Sequence, residues 1–306
     1  MGENHSQQPA ESGTAAPPLS SADWAADSSR RWLAHADALE AQLEPVHAPL
    51  LAACGDLRDA RVLEVGCGRG ATTQVLAEGV GPGGHVTAVD ISEALVAAAG
   101  ARLPDAGRDR IDLRLGDAQT LDLGAGTFDV VASRFGVMFF DDPVAAFANL
   151  GHATRPGGQL AIAVWQPRDR SPTQQRGLDV AVATAADLGH HLELGDPHAG
   201  PFSLGLPEVA TGVLEAAGWV DVHHDAQLVR LPIAGGGATP EQALEVAFAI
   251  GPLRILLADA PGEVTVAVRA ALLADYAALH DGSAMWVDGG IAIVQARRPE
   301  RAPTSS

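Results

Sequence analysis

An apolar run, Val62-Leu63-Glu64-Val65, ends in Gly66-Cys67-Gly68-Arg69-Gly70 and passes into Ala71-Thr72-Thr73, which opens a helix-forming segment. Three alternating glycines at a strand end make a turn free of side chains, against which a ligand can lie, and the helix start that follows turns unpaired N–H groups toward it. The spacing is Gly-x-Gly-x-Gly, which differs from the Gly-x-Gly-x-x-Gly that cradles the pyrophosphate of a dinucleotide. Glu64, an acid two positions before the first glycine, favours a ligand with a cationic or amine-bearing part. A nicotinamide dinucleotide matches neither feature.

The motifs that follow extend the pattern. Asp90 closes Val86-Thr87-Ala88-Val89-Asp90, Gly116-Asp117-Ala118 follows a third apolar strand, and Phe128-Asp129-Val130-Val131-Ala132-Ser133 reads as a fourth. Arg155-Pro156-Gly157-Gly158-Gln159-Leu160 leads into a fifth. In this order the chain resembles the class I S-adenosylmethionine-dependent methyltransferases, closely over residues 55–166 and loosely beyond.

The resemblance implies S-adenosyl-L-methionine as cofactor, with Gly66, Gly68 and Gly70 letting the backbone approach its methionine portion and Cys67 as compact filler of the same turn. Glu64 either orients that turn or receives the cofactor's ammonium. Asp90 suits a ribose diol, whose hydroxyls donate, or it caps the helix beginning near Ser92. Asp117 with Ala118 matches the family's adenine contact, a simple turn aspartate being the other reading, and Ile91 stands where the family packs an apolar side chain on adenine. Ser133-Arg134-Phe135-Gly136-Val137-Met138-Phe139-Phe140 falls at the mouth of the expected crevice. There Ser133 and Phe135 would flank the transferring methyl group and Met138 or Phe139 would pack beneath, while Phe139 and Phe140 fit a role as sheet cover equally well. This octapeptide resembles a bacterial ubiquinone/menaquinone-biosynthesis-type subgroup that acts on small molecules. Met138, Trp32 and Trp165 are the expected acceptor contacts.

The activity implied is methyl transfer to a small apolar or aromatic metabolite, at oxygen, carbon or nitrogen. Such an in-line displacement gains about 7–11 kcal/mol from alignment of the reactants. A positioned base adds a factor of about 10² to 10⁴ where the acceptor carries a proton. His190, His191 and His198, in a Pro/Gly-rich stretch, are the candidate bases. His223 and His224 point to opposite faces of a strand, and neither histidines nor cysteines show metal-ligand spacing, so no metal is expected. Two other readings of the same fold stay open: a cyclase- or isomerase-type synthase that binds the cofactor without net methyl transfer, and a noncatalytic cofactor sensor, against which two cap segments speak.

These residues need a frame. Strands at 61–65, 85–90, 110–115, 128–133 and 159–165 alternate with helices at about 71–79, 92–102 and 143–153, the pattern of a mainly parallel α/β sheet that gathers ligand contacts at strand C-termini. The expected fold is a Rossmann-like, seven-stranded, mostly parallel sheet with helices on both faces, an antiparallel last strand and helical cap insertions. Residues 1–20 read as a disordered tail. Residues 21–54 read as a helical lid, with Trp24 and Trp32 on one amphipathic helix ending at Pro45. Residues 55–166 are the cofactor-binding core, 167–206 a cap insertion, and 207–300 the rest of the core with a helical insertion at about 240–280.

Composition bounds the partners. The 306 residues carry a formal charge of −18, which repels polyphosphate, and the arginines are scattered, so nucleic acid is not expected as a substrate. Two cysteines and an N-terminus without an apolar core point to the cytoplasm. No apolar run reaches the roughly 18 residues of a membrane span. Assembly beyond one chain, a homodimer included, is left open.

Overall fold

The computed structural model describes residues 21–25, 27–105 and 107–300. The expected tail, 1–20, lies outside them.

In chain order the elements are α1 (Ser21–Ala25), α2 (Asp27–Ala34), α3 (Ala36–Leu43), α4 (His47–Cys54), β1 (Arg61–Val65), α5 (Ala71–Val80), β2 (His85–Asp90), α6 (Glu93–Arg102), β3 (Ile111–Leu115), β4 (Phe128–Arg134), α7 (Pro143–Ala153) and β5 (Thr154–Trp165). Then come α8 (Pro172–Asp187), α9 (Pro207–Ala216), β6 (Val220–Pro232), α10 (Pro240–Ala249), α11 (Pro252–Leu256), α12 (Gly262–Leu279) and β7 (Trp286–Arg297).

The seven strands form one sheet in the order β3-β2-β1-β4-β5-β7-β6. All run parallel except β7, which pairs antiparallel with both β5 and β6. Apolar strands buried on both faces require cover on both sides, and the central strands meet that requirement: Val62, Leu63, Val131, Leu160 and Ile162 are all buried. Helix starts carry their own signals. Ser92 Oγ accepts from Leu95 N at the start of α6, and Asp142 Oδ1 accepts from Ala145 N before Pro143 opens α7.

The N-terminal segment departs from expectation. One helix to Pro45 was expected; α2 instead breaks at His35 before α3, and Pro45 lies in a 3₁₀ turn, Glu44–Val46, that feeds α4. Pro45 reads as a breaker, yet it falls in the first turn of the 3₁₀ segment, and Pro49 in the first turn of α4, where a missing N–H costs nothing. Leu50 and Cys54 of α4 are fully buried under the sheet, so this end of the segment belongs to the core.

The segments 167–206 and 240–280 converge. Leu178 and Ala181 of α8, Leu244 of α10, Leu253 of α11 and Val268 and Leu272 of α12 share a second apolar core, against which Trp32 and Leu39 also pack. A cleft of about 560 Å³ lies between α2–α3 and α10, bordered by His35, Asp37, Gly237 and Glu245, and neither Glu64 nor Asp90 lines it. No helix among the described residues is long and apolar enough to cross a membrane.

Candidate cofactor and acceptor site

Parallel strands deliver Glu64, Asp90 and Arg134 to the same end of the sheet, because β1 lies between β2 and β4. The glycine turn then folds across that end with Gly66, Gly68 and Gly70 at φ +72°, +55° and +83°, a region closed to most side chains. At Gly66 a Cβ would lie 2.6 Å from Gly136 Cα, and at Gly136 a Cβ would lie 2.5 Å from Val65 O. Two backbone segments therefore cross in contact, and both positions require glycine.

Asp90 braces this turn. Its Oδ2 accepts from Gly68 N at 2.8 Å and its Oδ1 from Ser92 N at 2.9 Å. The carboxylate orders the turn and the entry to α6, whose cap is Ser92 and not Asp90, and each oxygen keeps a lone pair for a further donor. Burial raises its carboxyl above the usual carboxylate range, against the pull of backbone donors at Ser92, Gly68 and Ile91.

Glu64 is 1% exposed, and Thr73 Oγ1 donates to its Oε2 at 2.5 Å. Burial pushes its carboxyl up to about 7, opposed by the Thr73 hydroxyl and by Arg134 and reinforced by Asp90. Arg134 donates to Leu43 O at 2.9 Å, and burial lowers its basicity. His47 shares a 3.1 Å hydrogen bond with Thr72 Oγ1, and burial followed by the charge of Arg134 pulls it down to about 4. A buried acid, a half-buried arginine and a neutral histidine thus lie around the glycine turn.

Asp117 adopts the turn geometry, its carboxylate accepting from Gln119 N at 2.9 Å and from Gln119 Nε2. Ala118 is buried, with its carbonyl held by Asn149 Nδ2, and Ile91 is half-buried beside Asp90. Cys67 faces inward and burial raises its thiol, consistent with a filler.

Ser133 is engaged within the backbone crossing. Its hydroxyl donates to Val65 O at 2.8 Å and accepts from Gly136 N at 3.1 Å, with no exposed surface. It ties β4 to the end of β1. Phe135 turns out of this brace at φ +64° and stacks on Trp165 with ring centroids 4.3 Å apart. Met138 Sδ accepts from Trp165 N, and Phe139 packs on Trp24 at 5.1 Å. Phe135, Met138 and Trp165 form one wall, and Phe140 instead packs on Phe147 as sheet cover.

Trp32 sits over the turn, its Cη2 3.9 Å from where a Gly68 Cβ would stand. The candidate bases lie between α8 and α9. His190 pairs with Glu263 at 3.0 Å, His198 faces Asp169 at 3.7 Å, and His191 is exposed between them. His224 bonds Gly205 O, and His223 is exposed on the opposite face of β6. Among the described residues, no group of three or more His, Cys, Asp or Glu could hold a metal.

Sequence reasoning missed Glu40, Asp37, His47 and the reach of Arg69 and Arg134 toward the N-terminal helices. The arginines stood inside the quoted motifs, but their partners are set only by tertiary packing.

The donor set fits a nucleoside bearing an amino-acid tail. Gly68 brings bare backbone to the turn at φ +55°, under the Trp32 ring, Asp90 keeps acceptor capacity for hydroxyls, and the Glu64 carboxyl suits an ammonium. Comparison with known proteins agrees. Residues 63–162 match the family model of a methyltransferase domain. The chain is 35% identical over 192 residues to nocamycin O-methyltransferase of Saccharothrix syringae, covering 58% of this chain and 68% of that protein. It is 33% identical over 106 residues to demethylmenaquinone methyltransferase of Lactococcus lactis subsp. lactis, covering 35% of this chain and 42% of that one. The YcgJ protein of Bacillus subtilis shares the fold, with a TM-score of 0.51 at 14% identity over 84% of this chain and 99% of that one.

Proposed function

This chain belongs to the class I S-adenosylmethionine-dependent methyltransferases, and from that premise we propose that it methylates a small, apolar or aromatic metabolite held against Phe135, Met138 and Trp165. The single observation that carries the acceptor class is the stacked Phe135–Trp165 pair, which offers a flat apolar face next to the glycine turn. Similarity to an enzyme named for O-methylation favours a hydroxyl oxygen as the acceptor atom.

The bound cofactor supplies an electrophilic methyl group on a sulfonium. The chain's residues hold and orient. In this reading Gly66, Gly68 and Gly70 admit the amino-acid tail, Glu64 meets its ammonium, Asp90 takes the ribose hydroxyls, and Ile91, Asp117 and Ala118 border the adenine. Trp32 roofs the turn and excludes water, which strengthens the Glu64 and Asp90 contacts. An acidic enol or phenol needs no base from the chain, so His190, His191 and His198 are proposed as cap residues. We further propose α1–α3 as the lid, the second apolar core as the cap over the acceptor, a cytoplasmic setting, and action without nucleic acid.

Incubation with methyl-labelled S-adenosylmethionine and a panel of phenolic and enolic metabolites tests this. Label in the product together with S-adenosylhomocysteine is expected; turnover of an acceptor without S-adenosylhomocysteine would replace methyl transfer with a synthase reaction.

A further inference from the structure

Arg69 stands between two of the glycines that form the cofactor turn, yet its side chain leaves the turn for the N-terminal helices. Its Nε donates to Glu40 Oε1 at 3.2 Å, and its Nη2 to Glu40 Oε2 at 2.8 Å and Asp37 Oδ1 at 2.5 Å. Arg69 is 17% exposed and Glu40 only 7%, so this fork-to-fork pair is largely out of water. Asp37 is 95% exposed and adds little. Arg102 of α6 approaches Glu40 Oε2 at 3.2 Å, which leaves the carboxylate between two guanidinium groups, one from the glycine turn and one from the end of α6. Five residues before Asp37, on α2 just across the break at His35, Trp32 lies over Gly68.

We propose that Arg69 is a positioning residue that latches the α2–α3 cover onto the cofactor turn, with Glu40 as its keeper and Trp32 as the part that closes over the ligand. The inference rests on the methyltransferase reading given above. A buried carboxylate needs its counter-charges, so breaking the pair strongly disfavours the closed arrangement. A ligand that binds only under the closed cover has an apparent dissociation constant divided by the closed fraction, so a fall of that fraction to about a tenth weakens binding about tenfold. The chemical step, which follows closure, is affected less. The latch therefore appears in cofactor affinity before it appears in kcat.

The test is a double-mutant cycle on the full chain, Arg69→Ala, Glu40→Gln and both together, read by calorimetric titration with S-adenosylhomocysteine and by steady-state kinetics. Thermal unfolding confirms that each variant is folded; if Arg69→Ala is not, Arg69→Lys, which keeps the charge and loses the fork, takes its place. The expected result is a roughly tenfold rise in dissociation constant and in KM for S-adenosylmethionine for either single variant, kcat within about twofold, and a double variant no worse than the singles. The quenching of tryptophan fluorescence on ligand addition should shrink with them and be absent from a Trp32→Phe control. Unchanged affinity in folded single variants, or fully additive losses, would overturn the latch while leaving the methyltransferase reading in place. Failure of the unmodified chain to bind S-adenosylhomocysteine would overturn that reading, and the latch with it.

Discussion

The buried carboxyl of Glu64 gives stability a pH dependence that a single substitution isolates. In the folded chain it titrates at about 7, against an ordinary 4.5. Between those values the folded state keeps a proton that the unfolded chain releases. The stability this contributes is complete below pH 4.5 and is lost as pH rises through 7. At about 1.4 kcal/mol per pH unit the whole gap amounts to roughly 3 kcal/mol, of which roughly 2–3 kcal/mol falls between about pH 5 and about pH 8. His47 works the other way. Its value drops from 6.5 to about 4, so its contribution is fully present above 6.5 and is lost as pH falls through 4. The two trends largely cancel in the unmodified protein and hide each other. Glu64→Gln keeps an oxygen for Thr73 Oγ1 to donate to and removes the titration. Urea unfolding of both proteins at the two pH values is the assay. The stability of the unmodified chain relative to Glu64→Gln should fall by roughly 2–3 kcal/mol on going from the lower to the higher pH, with His47 common to both and cancelling. An equal difference at both pH values would refute the assignment of a proton to Glu64 near neutrality.

Gly136→Ala places a methyl group against Val65 O and Gly66 Cα, neither of which can swing away; it should cost about 1–3 kcal/mol in urea unfolding and weaken cofactor binding, whereas free accommodation would show that the crossing is loose. Trp165→Ala removes the stacked face and should raise KM for the acceptor about tenfold with cofactor affinity nearly unchanged; an effect on cofactor affinity alone would move the acceptor elsewhere. If Glu64 meets the cofactor's ammonium, binding near pH 7 expels its proton, and titrations in buffers of differing ionisation enthalpy should register that release and lose it in Glu64→Gln.

The sheet was legible in the sequence because its strands are short apolar runs bounded by turn residues, and β1 and β2 fall on their expected bounds. Strand β5 starts at Thr154, five residues before its expected start, since Thr154 pairs with Phe128 across a bulge that no apolar pattern announces. The helical character of 21–54 was legible, but its division was not: Pro45 reads as an end, whereas it falls in a 3₁₀ turn that feeds α4. The convergence of Glu64 and Asp90 was readable because parallel strands expose the same ends. The inward turn of Ser133, the reach of Arg69 across 29 residues to Glu40, and the closeness of Gly66 to Gly136 were not, because each depends on how distant segments meet.

The central claim is that the crevice edged by Gly66, Gly68 and Asp90 holds S-adenosylmethionine. Calorimetric titration of the full chain and of Asp90→Ala with the cofactor measures it directly. Binding on the order of micromolar is predicted for the unmodified chain, weakened at least about tenfold in a folded Asp90→Ala. Equal binding by the two proteins, or no binding by either, would contradict it.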